Sequence, residues 1–134
     1  MTQEYRKNLL AWLLRYIGVL EMLAFLAVVM PRAWMETSHA WLGLGSMPEG
    51  AVLIFLIRQA SYAYGMHGLS LWIIASDLTR FRTLVLFNGI SFVLAGPVFF
   101  LIDHTSGMPS WWTAIDGPSC ALFGIAMLWL SRGD

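Results

Sequence analysis

The chain alternates long apolar stretches with short polar breaks. Residues 9–30, 47–76, 81–102 and 116–131 are each apolar enough, over enough residues, to be read as helices crossing about 30 Å of hydrocarbon. Each has its own boundary signals. Pro31 ends the first, because proline cannot continue a helix. The second opens on Ser46 and Glu49, the spacing of a capping box in which the serine accepts from a first-turn amide and the glutamate reaches back. The fourth opens on Asp116 as cap, with Pro118 in the first turn. This fourth stretch is short, and Trp111 and Trp112 before it read as anchors at the membrane–water boundary. The longest stretch outside these spans, PRAWMETSHAWLGLG, holds Trp34 and Trp41 and reads as a short amphipathic turn on the membrane surface. No internal repeat or low-complexity segment interrupts the pattern.

Composition agrees with a lipid environment. Apolar residues make up 58% of the 134 and charged residues 12%, and mean hydropathy is +0.67. Soluble domains carry roughly twice that share of charge, so a water-facing surface could not be covered. The formal net charge is zero, which gives no pull toward nucleic acid. The single cysteine, Cys120, excludes an intrachain disulfide and a cysteine metal cage. The N-terminus begins like a secretion signal, but its apolar run continues to Met30 with no small-residue cleavage site, so it reads as a retained helix.

These features predict one all-α transmembrane domain over residues 1–134, an antiparallel four-helix bundle. Arg6 and Lys7 precede the first span, Arg80 and Arg82 lie between the second and third, and Arg132 follows the fourth. The other two loops hold only Arg32, so the positive-inside rule places both termini in the cytoplasm. Small residues recur at seven-residue spacing: Ala11 and Gly18, Gly89 and Gly96, Gly117 and Gly124. That spacing nearly repeats one helix face and allows close packing in lipid. In the first span the series stops at Phe25, which restricts close approach to the cytoplasmic half. Pro97 is expected to kink the third helix.

Against this apolar background the stretch RQASYAYGMHG, Arg58 to Gly68, stands out. At about 100° per residue it places Arg58, Ser61, Tyr62, Gly65 and Gly68 on one face and spreads Gln59, Tyr64, His67 and Ser70 over the other. A helix polar on two faces fits a central position, a cavity wall or a contact with another chain. Counted at about 1.5 Å per residue from the cytoplasmic ends, Arg15 lies roughly 9 Å deep, Asn88 12 Å, His67 14 Å and Glu21 18 Å, one candidate polar layer. Arg58, roughly 27 Å from that side, is placed near the outer boundary with Asp103 and Asp116 as ion-pair partners. Glu21 is too deep to snorkel: it is either neutral or paired with Arg15 or His67. Tyr62, Trp34, Trp41, Trp111 and Trp112 are the interface candidates.

No motif for a known chemistry is present. There is no HExxH, no CxxC and no glycine-rich phosphate loop. His67 is the one histidine within the spans, which leaves no histidine pair for a haem. Ser91 and His67 are the nearest approach to a nucleophile pair, without a triad pattern. No catalytic residue, metal or cofactor is assigned.

In GVLEMLAFLAVVMP, IRQASYAYGMHG and the short basic second-to-third link, the chain resembles the DoxX-like small membrane proteins. The resemblance implies a four-helix protein of the bacterial inner membrane, in a group some of whose members accompany quinone-linked sulfur oxidation. No catalytic residue carries over from it. The outer segments AWMETSHAW and SGMPSWWTAIDGP lie outside the resemblance. Three roles follow as expectations. The first is a non-catalytic accessory or interaction subunit of a larger membrane complex; the partners expected are membrane lipids and other membrane subunits or further copies of the chain. The second is a small quinone-linked redox protein using Glu21 and His67, with Arg15 as a further candidate, as a proton or headgroup site. The third is a binder of membrane lipid or another small hydrophobic ligand.

Overall fold

The computed structural model describes residues 2–132, and these are helical with short connections. In chain order the helices are α1 (Gln3–Met22), α2 (Phe25–Val29), α3 (Arg32–Trp41), α4 (Ala51–Ile74), α5 (Arg82–Thr105) and α6 (Ser110–Leu130). Three stretches are long and apolar enough to cross a membrane: Gln3–Val29, Arg82–Thr105 and Ser110–Leu130. The protein is therefore a multi-pass membrane protein. The expected fourth span, residues 47–76, is the exception. At 24 residues α4 is about 36 Å long. The polar run from Arg58 to Gly68 holds its hydropathy below that of the other three.

Three expected boundaries are corrected. The Ser46–Glu49 box does not start a helix: α4 begins at Ala51. Pro48 disfavours a helical backbone at Met47, and Gly50 takes φ +132°, so the chain stays irregular until Gly50 is passed. Asp116 caps nothing, because α6 starts six residues earlier at Ser110. The Pro109 carbonyl accepts the amides of Trp112 (2.9 Å) and Thr113 (3.2 Å), so the first turn forms there and Pro118 falls inside the helix. The surface segment after Pro31 is a ten-residue helix, α3, rather than a turn. Its Arg32–Glu36 ion pair (2.7 Å) spans one helical turn.

Glycines end α3 and α5 in the same way. After α3, Gly43 (φ +76°) lets its own amide reach Ala40 O (3.0 Å) and the Leu44 amide reach His39 O (3.1 Å). After α5, Gly107 (φ +71°) gives Gly107 N to His104 O (3.3 Å) and Met108 N to Asp103 O (3.0 Å). Both are Schellman closures, which need the left-handed backbone that glycine adopts freely.

The chain divides into two compact units. One holds α1 up to Leu14 and everything from Ile73 onward; the other is Arg15–Trp72. In the first unit α5 and α6 form an antiparallel hairpin that packs through the glycines noted above. A Cβ on Gly124 would lie 2.6 Å from Gly89 O, and one on Gly96 would lie 3.1 Å from Gly117 O. The two backbones thus touch at two levels one heptad apart, the close approach that small residues permit in lipid. Within this unit Leu10, Leu14, Val85 and Met127 are fully buried. The Arg6 guanidinium donates to the Trp129 carbonyl and lies over the Trp129 ring, 5.3 Å from its centroid. Gly124→Ala is expected to lower the unfolding free energy in detergent by about 1 kcal/mol, the low end of overpacking costs. An unchanged denaturation midpoint would mean that the α5–α6 backbones do not meet there.

Candidate functional site

In the Arg15–Trp72 unit, α1 and α4 approach as closely as α5 and α6 do. A Cβ on Gly18 would lie 2.7 Å from the Gly68 carbonyl oxygen and 2.6 Å from Trp72 Cδ1. The Trp72 indole N–H donates to the Arg15 carbonyl at 3.0 Å. With the backbones this close, Glu21 comes beside His67: Glu21 Oε2 lies 2.6 Å from His67 Nδ1. The imidazole side chain is 40% exposed and the carboxylate 14%, so the acid is the sheltered member. A short hydrogen bond to a carboxylate in so apolar a setting is strong, because little water competes for either partner. One helical turn from this pair, Gly65 makes room for Phe25 of α2, whose ring meets Tyr62 edge-on with centroids 6.0 Å apart.

Among the expected polar layer, Glu21 and His67 are brought together. The Arg15 guanidinium does not join their hydrogen bond; what Arg15 contributes is its backbone carbonyl. Asn88 belongs to the other unit, where it is buried and its amide donates to Leu84 O of its own helix at 2.8 Å. The expected outer cluster is likewise divided between the units. Arg58 is in the second unit, where it is exposed on α4. Asp103 and Asp116 are in the first. Asp103 is buried, and its Oδ2 has no hydrogen-bond partner among the described residues. Asp116 accepts a hydrogen bond from the Trp112 side chain. Beside it is a cavity of about 230 Å³ walled by Trp111, Trp112 and Ile115. Trp111 and Trp112 themselves meet edge-on at 5.5 Å.

Trp34 and Trp41 are both exposed on α3, seven residues apart and so on one side of it, while Met35 is buried. Tyr62 and Tyr64 are both exposed on α4. Among the described residues no three His, Cys, Asp or Glu side chains are grouped to hold a metal ion. Sequence reasoning missed Trp72 and Phe25, the two aromatic groups that pack the second unit. The available signal was a pair of α4 glycines, Gly65 and Gly68, each three or four residues from one of the polar groups. No family model, curated protein or solved structure matches the chain.

Proposed function

We propose that this protein works by association, as a non-catalytic accessory subunit of a larger membrane complex. In this reading α4 crosses the membrane with the three apolar spans as the fourth member of an antiparallel bundle, with both termini cytoplasmic. The membrane is the bacterial inner membrane implied by the DoxX-like resemblance. The observation that carries the proposal is α4 itself. Arg58, Gln59 and Tyr62, all exposed, spread over roughly 100° around the helix axis, and exposed Tyr64 presents its ring on another side. Acyl chains cannot satisfy a band of polar groups this broad. A protein partner can, and exposed tyrosine and tryptophan are the residues that such contacts favour.

The test is native mass spectrometry of protein extracted gently from its own membrane. Fixed copies of other chains added to the 15.1 kDa subunit are expected. A chain found alone, carrying a small molecule, would overturn the proposal.

The Glu21–His67 hydrogen bond favours a second reading, a quinone-linked redox protein in which the pair holds a proton or a ligand headgroup. Under it, Glu21→Gln abolishes turnover without loss of fold. Under the accessory reading, Glu21→Gln leaves assembly unchanged.

A further inference from the structure

Among the described residues, two cations of the Arg15–Trp72 unit, Arg15 and Arg58, make no ion pair with an acid of that unit, and of the two Arg58 lines a groove. The unit's acids are Glu21, Glu36 and Glu49. Glu21 is held by His67 and Glu36 by Arg32. Glu49 is exposed in the irregular segment before α4 and makes no ion pair among the described residues. Arg58 is the eighth residue of α4, about 10 Å along from its first turn. A guanidinium at that depth requires an anion or a route to the headgroups. Its stem is long enough to reach the boundary between acyl chains and headgroups.

The surroundings of Arg58 specify the anion. Phe25, seated on Gly65, fixes α2 against α4 and leaves an open groove of about 640 Å³ along α4, edged on the α2 side by Val28. Val28, Leu56 and Ala60 make its wall apolar, and Arg58, Gln59 and Tyr62 are its polar groups. Arg58 and Tyr62 are one turn apart on the same face, so a fork of N–H donors and a phenol point the same way. A phosphate matches the guanidinium fork, and the apolar wall requires that the phosphate carry hydrocarbon.

We infer that the groove along α4 seats an anionic phospholipid, its phosphate on Arg58 and Tyr62 and an acyl chain along Val28, Leu56 and Ala60. A zwitterionic lipid is disfavoured because its own ammonium group accompanies the phosphate. The inference goes beyond the accessory-subunit reading and takes from it that α4 crosses the membrane; a partner on the Tyr64 side of α4 leaves this groove open, and lipid retention is read separately from co-purifying chains.

The test is native mass spectrometry of the full chain from detergent containing equimolar phosphatidylglycerol and phosphatidylcholine with matched acyl chains. Phosphatidylglycerol is expected to be retained about tenfold over phosphatidylcholine, the scale of one charge-assisted contact. Arg58→Gln brings that ratio near one, and Arg15→Gln leaves it unchanged. Excess glycerol 3-phosphate does not displace the bound lipid. Equal retention of the two lipids by the wild type, a preference that survives Arg58→Gln, or displacement by glycerol 3-phosphate would each overturn the inference. So would a chain that arrives from its own membrane with another protein on this groove and takes up no lipid. Should Arg58→Gln fail to fold, Arg58→Lys and Tyr62→Phe replace it. Both are expected to keep the fold and lower the ratio severalfold, and an unchanged ratio in both would overturn the inference.

Discussion

Gly68→Val is expected to destabilise the protein by roughly 1–3 kcal/mol, the cost of forcing extra methyl groups into a filled contact. The atoms in the way are backbone atoms. A Cβ at Gly68 would press on the Gly18 carbonyl oxygen and lie 2.9 Å from the Met22 amide nitrogen. Neither can swing aside as a side-chain tip would; α1 as a whole would have to move away from α4. That movement would lengthen the 2.6 Å contact between Glu21 and His67 and the 3.0 Å bond from Trp72 to the Arg15 carbonyl. Trp72 therefore supplies the readout. Thermal unfolding in detergent, followed by tryptophan emission, should show an earlier transition together with a shifted native-state spectrum. Leu69→Val, at an exposed position on the same helix, serves as the control. If both variants melt with the wild type, α1 and α4 are not in backbone contact.

His67→Leu should cost roughly 1–3 kcal/mol, the penalty of leaving a sheltered polar group without its partner. It removes the donor and leaves the sheltered Glu21 carboxylate in an apolar segment. Glu21→Gln should cost less, because an amide oxygen can still accept from the imidazole. The informative variant is the double replacement of Glu21 and His67 by leucine. Taking both partners of a partly buried polar pair away can be nearly neutral even though removing either one is not. A double-mutant cycle in detergent should therefore give a large coupling energy. Strict additivity would mean that the two side chains do not interact. The same double variant separates a structural tie from a working one: a stable protein that no longer functions places the chemistry on this pair.

The parts of the fold visible in the sequence were those written within single helices. Gly89 and Gly96, like Gly117 and Gly124, repeat at a spacing that returns to one face, so a close-packed α5–α6 pair could be read before any geometry was known. Pro31 stopped its helix as expected, with Met30 extended ahead of it (φ −63°, ψ 131°). Boundaries governed by competing signals were not legible. Ser46 and Glu49 have the spacing of a cap, yet Pro48 and Gly50 stand between them and the helix. Asp116 looks like a cap, yet Pro109 already supplies a start. The candidate site was legible in depth and not in direction. Counting along the spans put Glu21 and His67 within a few ångströms of one level, but only the packing of Gly18 on Gly68 turns one toward the other. Residues 46 positions apart carry no local signal of that rotation.

The Arg6–Trp129 contact joins residues 123 positions apart. Its consequence lies in how the protein is made. During synthesis α1 leaves the ribosome long before α6 exists, so Arg6 waits in the bilayer interface without the carbonyl and indole that will later receive it. A stalled or shortened chain ending before Trp129 therefore lacks the carbonyl and ring that Arg6 meets, and its first helix is expected to be cleaved sooner by membrane proteases than that of the full chain.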